Sequence, residues 1–237
     1  MRMGTVVRNI RRTAPEKIEL LKNYGVATVH EAIGRRGLMK PYMRPITQGL
    51  QTAGNVVTVL VHPGDNTMVH VAIEFVRPGD VLVVACSADC TDGMVGDLLV
   101  SSMQAHGVAG LVLDVGCRDV SDLIGMKFPV WSRAISAKGT IKATLGQVNT
   151  PVVCAGAFTA PGDVVVADDD GVVIVPFAEV DHAIAQSQLR VAKEAAKRAR
   201  LKSGELGIEI ENMRPWLESA GLTYFDSLEE AQQQDSQ

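Results

Sequence analysis

The 237-residue sequence predicts an α/β protein with a mixed sheet and a C-terminal helical arm. Three observations carry that prediction. Short apolar, β-branched runs alternate irregularly with capped helical segments along most of the chain. A β-rich stretch follows late, between Val152 and Val175. From Phe177 the pattern then turns helical as far as Gly204. Residues 1–176 are therefore expected to form a core domain and 177–237 a helical extension.

Each element has a local cause. Thr13-Ala14-Pro15-Glu16 reads as a capping box with proline in the first turn, opening a helix that runs to about Tyr24. Thr28-Val29-His30-Glu31 is a second box, opening a short helix that ends near Gly37. Val56–Val61 is a β-branched strand, and Asn66 is placed to cap a helix to Val76. Pro-Gly-Asp occurs at 63–65, 78–80 and 161–163, the last two copies preceding apolar strands at Val81–Ala85 and Val164–Ala167. Proline presets φ and glycine supplies φ > 0, so the tripeptide is repeated turn chemistry. Gly96 to His106 reads as a helix stopped by Gly107, followed by a strand from Gly110 to Asp114 and a tight turn at Gly116-Cys117-Arg118-Asp119. Helical turns at Ser121–Lys127, a strand at Phe128–Ser132, a polar loop at Ala137–Gln147 and strands at Val152–Ala155 and Val172–Val175 complete the core. Asp168-Asp169-Asp170-Gly171 lacks the closing glutamate of a calcium loop and reads as a solvated hairpin turn. Beyond the arm, Pro215 starts a short helix, and Glu229–Gln237 reads as a frayed tail.

Composition narrows the function. With 46% hydrophobic and only 4% aromatic residues, the core must be built from Val, Ala, Leu and Ile. A net charge of −4 argues against a nucleic-acid surface. No apolar run approaches a membrane span, and Met1-Arg2-Met3-Gly4 lacks a secretory core, so a cytoplasmic protein is expected. Cys86, Cys90, Cys117 and Cys154 have no histidine at ligand spacing and read as reduced core residues. Neither Gly-x-Gly-x-x-Gly nor a Walker pattern is present, which counts against a nucleotide site.

The chemistry concentrates between Gly96 and Asp119. A helix start beginning Gly96-Asp97-Leu98-Leu99 offers unpaired N–H groups and the positive end of the helix dipole to a carboxylate. Arg118 adds a planar, permanently charged fork, and Asp119 a hard oxygen ligand for a divalent cation. Metal-assisted chemistry on a small acidic substrate is the reading. Each part has a structural alternative, since Asp at a helix start is commonly a cap and an Arg-Asp step commonly a surface ion pair. The nine lysines lie on charged helical faces or loops, none within an apolar strand, which disfavours Schiff-base chemistry. His30 with Arg35-Arg36 could face a second substrate carboxylate, or simply be solvated. His62, His70, His106 and His182 receive no catalytic role.

The Gly-Asp-Leu-Leu helix start, the Arg-Asp strand exit and the order of elements resemble the RraA-like family, which contains the regulators of ribonuclease E activity. Within it the chain is most similar to the 4-hydroxy-4-methyl-2-oxoglutarate / 4-carboxy-4-hydroxy-2-oxoadipate aldolases, class II pyruvate aldolases that also decarboxylate oxaloacetate and serve aromatic-compound degradation. The resemblance implies a compact layered core of the swivelling β/β/α type. It implies Mg²⁺, Mn²⁺ or another divalent cation bound directly by Asp119, and through water by Glu194 of an adjacent subunit. It further implies that Gly96, Leu98 and Leu99 seat the pyruvyl carboxylate, Arg118 holds the 2-oxo oxygen and Asp97 orients a water for proton transfer. A homo-oligomer, trimer or hexamer, with its arm crossing to a neighbour follows, with no nucleic-acid or membrane partner. One departure is Val115 ahead of Gly116, where the family often has a further glycine. The competing reading is a protein-binding regulator of RNA turnover without catalysis.

Overall fold

The computed structural model describes residues 4–234, so the readings that fall on residues 1–3 and 235–237 lie outside the described residues. In chain order the strands are β1 (Thr5–Val6), β2 (Arg44–Pro45), β3 (Thr52–Val61), β4 (Val81–Cys86), β5 (Gly93–Val95), β6 (Gly110–Cys117), β7 (Val130–Ile135), β8 (Gln147–Val148), β9 (Val152–Cys154), β10 (Ala157–Thr159), β11 (Val164–Asp168) and β12 (Gly171–Val175). The helices are α1 (Pro15–Ala32), α2 (Thr67–Ile73), α3 (Asp97–Ala105), α4 (Val120–Gly125), α5 (Val180–Lys202), α6 (Gly207–Ile210), α7 (Arg214–Ser219) and α8 (Leu228–Gln234).

Strands β3, β4, β6 and β7 pair in parallel and form the centre of a mixed sheet. Parallel strands are covered on both faces, which is why they read as nearly unbroken Val and Leu rather than alternating. On one face Val57, Val59, Leu82, Val84, Leu111 and Leu113 pack with Met68, Val69, Leu99, Val100, Met103 and Leu123 of α2, α3 and α4. On the other, Val56, Val83, Val112 and Trp131 meet Val165, Ala167, Val172 and Ile174 of the β11–β12 hairpin. The hairpin's far side, Val164, Val166, Val173 and Val175, is closed by Leu21, Val26 and Val29 of α1 and Val180 and Ala183 of α5. Strand β3 is shared between the layers. Its first part pairs antiparallel with β11 (Ala53↔Val166), and its second part parallel with β4 (Val59↔Val84). The result is the layered α/β core expected, with Val and Ile making up most of the buried apolar residues.

Several local expectations are corrected. The N-cap of α1 is Ala14 with no side-chain cap, because the Thr13 N–H instead donates to Asn55 Oδ1 at 2.7 Å. No helix starts at Thr28. Gly25, at φ 77°, breaks α1, and the helix resumes at Val26, whose N–H donates to Asp168 Oδ2 at 2.8 Å. Asn66 does not cap α2 with its side chain, and α2 ends at Ile73 rather than Val76. Strand β6 stays extended through Cys117, so no tight turn forms at Gly116. The tail is helical over Leu228–Gln234 rather than frayed. The Asp-Gly hairpin forms as read, with Asp168 opposite Gly171.

The aspartates of the three Pro-Gly-Asp turns are buried anchors of backbone and arginine. Asp80 pairs with Arg12 at 2.8 Å, and Asp163 accepts from the N–H groups of Ala160 and Phe177. Asp65 is 2% exposed. Burial alone would raise its pKa, but hydrogen bonds from Thr67, Ala143 and Thr144 outweigh that and hold the carboxyl well below its ordinary range.

The chain divides into two compact units, Met1–Arg190 and Val191–Gln237, with the division inside α5. The second unit carries few buried side chains. Its ion pairs Lys197–Glu211 and Arg200–Glu205 tie the end of α5 to the C-cap of α6 and to the turn between them, while Leu206, Trp216, Tyr224 and Leu228 are all exposed. Among the described residues no helix is long and apolar enough to cross a membrane.

Candidate active site

Two strand exits lie side by side. Strands β5 and β6 pair in parallel, Gly93 beside Gly116 and Val95 beside Cys117, and the Arg118 N–H continues the ladder to the Val95 carbonyl at 2.9 Å. The chain leaves β5 through Gly96 into α3 and leaves β6 through Arg118-Asp119 into α4. Residues more than twenty positions apart in sequence therefore meet at the carboxyl ends of the strands, where open α/β sheets bind ligands.

Glycine is required here for space. Gly96 has an extended backbone any residue could adopt (φ −135°), but a Cβ there would sit 2.0 Å from Asp119 Oδ2 and 3.1 Å from Arg118 Cγ. A Cβ on Gly116 would meet the Thr91 carbonyl oxygen at 2.3 Å. Val115 is fully buried in the core, so the valine that departs from the family pattern fills the helix-facing layer. Gly139 completes the trough, its Cβ position 3.1 Å from Arg118 Nη1.

Neither carboxylate is spent on a helix cap. Asp119 occupies the N-cap position of α4 in the left-handed region (φ 56°, ψ 42°), yet makes no side-chain capping bond. That conformation costs a non-glycine residue about 1 kcal/mol or more. Its oxygen lies 3.3 Å from Arg118 Nε, with both side chains partly exposed. Asp97 stands in the first turn of α3, which likewise has no side-chain cap, so the N–H groups of Leu98 and Leu99 remain available. The capping alternative for both acids is thereby removed.

A cavity of about 100 Å³ opens at this point, lined by Asn66, His70, Met94, Gly96, Asp97, Leu98, Leu99, Arg118 and Lys142. The structure thus gathers Gly96, Asp97, Leu98, Leu99 and Arg118 around one cavity, with Asp119 against Gly96 and Arg118. Asn66, His70 and Lys142 were missed as site residues. Lys142 arrives on the Ala137–Gln147 loop, held by the backbone bonds that Asp65 accepts from Ala143 and Thr144. Only the buried aspartate of the first Pro-Gly-Asp turn hinted at that anchoring. Burial and then the nearby Lys142 charge lower the His70 pKa. Glu194 belongs to the second unit, on the latter part of α5. Arg35 pairs with Glu31 and Arg36 with Glu179. All four cysteines are free thiols.

Comparison with known proteins matches residues 26–174 to the RraA-like family, described as Aldolase/RraA, and the chain belongs to that family. A protein of Halalkalibacterium halodurans named "Putative 4-hydroxy-4-methyl-2-oxoglutarate aldolase" is 30% identical over 166 residues, 70% of this chain and 79% of that one. Streptomyces coelicolor RraAS2, described as an unusual member of the RNase ES inhibitor RraA family, superposes with a TM-score of 0.71 at 28% identity over 80% of this chain and 99% of its own. A Pseudomonas syringae structure of uncharacterized function shares the fold, with a TM-score of 0.70 at 23% identity, covering 83% of this chain and 97% of that one.

Proposed function

We propose that this protein is a divalent-metal-dependent aldolase that cleaves 4-hydroxy-2-oxo dicarboxylic or tricarboxylic acids to pyruvate and a second 2-oxo acid. The observation that carries the reading is the uncapped Asp119 carboxylate, set against Gly96 beside Arg118 at an open helix N-terminus. The relatives named as aldolases support the reaction class.

Among the described residues no three His, Cys, Asp or Glu side chains converge as a metal cage. One hard carboxylate, paired only loosely with Arg118 at 3.3 Å, suits a cation that keeps most of its water, as Mg²⁺ does. Asp119 would hold it directly, and it would supply Lewis-acid polarisation of the 2-oxo group. The Leu98 and Leu99 N–H groups seat the C1 carboxylate, where the helix dipole favours an anion. Arg118 donates to the C2 oxygen and meets the negative charge that gathers there as the C3–C4 bond breaks. A water oriented by Asp97 relays the C4 hydroxyl proton to the Asp97 carboxylate, the C4 oxygen becomes a carbonyl, and the bond electrons pass into the pyruvate enolate. The same proton returns to C3 to give pyruvate. Oxaloacetate would lose CO₂ to the same enolate. Glu194 would complete the site from a neighbouring subunit, in a trimer or hexamer whose arm buries the exposed Trp216, Tyr224 and Leu228.

The test is pyruvate release from 4-hydroxy-4-methyl-2-oxoglutarate, abolished by EDTA and restored by Mg²⁺ or Mn²⁺. Turnover that persists after full chelation removes the metal from the reading. Absence of turnover with any divalent cation favours the regulator reading that the RraA relative suggests.

A further inference from the structure

Residues 136–144 run beside Arg118 outside any helix or strand. No residue from 137 to 145 is buried, and the segment's own apolar side chains, Ile141 and Leu145, face solvent. Apolar packing therefore cannot hold this segment, and its hydrogen bonds must. At one end the Ser136 N–H donates to the Cys117 carbonyl at 2.9 Å, and the Gly93 N–H donates to the Lys138 carbonyl at 2.8 Å. Further along, the Ile141 N–H donates to the Gly64 carbonyl at 2.9 Å. At the other end the Ala143 and Thr144 N–H groups both donate to Asp65 Oδ2 at 2.7 Å, while Asp65 Oδ1 accepts from the Thr67 N–H, at the start of α2, at 2.8 Å.

These fastenings are unequal. Bonds to an ionised acceptor are about twice as strong as neutral ones, and Asp65, 2% exposed, is a desolvated carboxylate whose burial only full pairing offsets. The Lys138–Asp92 pair at 3.0 Å rests on a mostly exposed lysine and adds little. Between the two ends the segment presses on Arg118. A Cβ on Gly139 would lie 3.1 Å from Arg118 Nη1, and a Cβ on Gly93 would lie 3.1 Å from Arg118 Cβ and 2.1 Å from the Ser136 carbonyl oxygen. The guanidinium has one loose ion pair, to Asp119 at 3.3 Å. With so little bonding of its own, its direction is set by what it packs against.

Resting on the aldolase reading, we propose that Asp65 is a positioning residue: by fastening residues 136–144 to the start of α2 it holds Arg118 in its working direction, without touching the substrate itself. Of the three Pro-Gly-Asp turns, this is the one whose aspartate reaches the site. Asp80 and Asp163 fasten only the scaffold, through Arg12 and through the Ala160 and Phe177 N–H groups.

A double-mutant cycle with Arg118→Lys separates positioning from mere structure. Asp65→Ala frees the Ala143 and Thr144 N–H groups to water, since both residues are exposed. It should lower kcat/KM for 4-hydroxy-4-methyl-2-oxoglutarate about 100-fold, with Asp65→Asn, which keeps one acceptor oxygen, recovering part of the loss. In the Arg118→Lys background, where the planar fork is already gone, Asp65→Ala should cost less than about 3-fold more. Hydrogen exchange followed by mass spectrometry should speed up in residues 137–147 and stay unchanged in α3 and β6. Gly139→Ala, which crowds Arg118 Nη1 and leaves Asp65 intact, should cost about 10-fold, again only when Arg118 is present. Costs that multiply fully in the double variants overturn the proposal, as do normal kinetics in Asp65→Ala or faster exchange throughout the sheet. Should Asp65→Ala fail to fold, the Gly139→Ala cycle decides, and additive costs there overturn the proposal equally. A wild-type protein without cleavage overturns the aldolase reading itself, whereas an active one with additive cycles overturns only the role of Asp65.

Discussion

Two arginine–aspartate pairs involve strand β6, and they differ in what surrounds them. Arg133 on β7 lies 2.8 Å from Asp114 on β6, with both side chains mostly buried. Every part of that pair is matched. Asp114 accepts from Tyr42 Oη and the Ala155 N–H, and Arg133 also donates to Asp89 and Tyr42 while its guanidinium stacks on the Tyr42 ring. Burial opposes the charge on Arg133, but its bonds to Asp89, Asp114 and Tyr42 prevail and raise its pKa further; burial and Asp114 likewise raise that of Tyr42. At the far end of β6, Arg118 and Asp119 are 3.3 Å apart, partly exposed, and share no such network. A fully satisfied ion pair has nothing left to offer a ligand; an incompletely satisfied one beside an open helix end does. Satisfaction, rather than residue type, separates the scaffold pair from the pair proposed to react.

That contrast can be broken by substituting alanine at each aspartate. Under the proposed function, Asp119→Ala should lower turnover by about 1,000-fold or more, because the cation would lose its anchor, and should leave the urea midpoint nearly unchanged, because a half-exposed pair contributes little stability. Asp114→Ala should do the reverse in kind. It strands Arg133 among buried groups and should destabilise by about 3 kcal/mol, with activity per folded molecule largely retained. Paired kinetics and urea titrations decide it. A destabilised but active Asp119→Ala protein would invert the two roles.

Gly96 sharpens the same comparison, since it links backbone to chemistry. Its backbone conformation is ordinary, so Gly96→Ala should fold. The added methyl would lie 2.0 Å from Asp119 Oδ2, so the carboxylate must move off the helix start. A displacement of that size in a preorganised site should reduce kcat about 100-fold with a modest loss of Mg²⁺ affinity. Near-normal kinetics would show that Asp119 does not act from the position seen here.

What the sequence made legible follows the range of each interaction. Valine-rich runs and the Asp-Gly hairpin are local signals, and the strands and the β11–β12 turn follow them closely. Gly96-Asp97-Leu98-Leu99 and Arg118-Asp119 were readable because helix starts and strand exits carry their chemistry in consecutive residues. The capping boxes misled for a physical reason. The Thr13 N–H, which a capping box would turn toward Glu16, goes instead to Asn55 Oδ1, 42 residues away, and Asp168 caps the helix resuming at Val26 across 142 residues. Partners that distant lie outside any local sequence window. Asp114 lay inside the very stretch singled out and drew no assignment, because only the folded network distinguishes it from Asp119. Asn66 and Lys142 were invisible for the same reason.

The smallest expected effect concerns the arm, where the two compact units differ as the two ion pairs do. The unit up to Arg190 contains three buried apolar clusters, whereas none of the described residues from Val191 on is buried, and Trp216, Tyr224 and Leu228 are open to solvent. An extension with apolar surface uncovered in one chain is suited to docking on a second copy, and Glu194 lies on it. Glu194→Ala should leave the oligomer intact by light scattering and lower activity on the order of 10–100-fold, as loss of a group acting on a metal through water does. If each site combines Asp119 of one subunit with Glu194 of another, two weak variants can complement. Mixed oligomers of Asp119→Ala and Glu194→Ala subunits would contain interfaces at which an intact Asp119 faces an intact Glu194, and activity should exceed that of either parent. Mixed oligomers verified by mass spectrometry that show no such gain would confine Glu194 to its own chain or remove it from catalysis. A protein that sediments as a monomer while fully active would remove the shared site altogether.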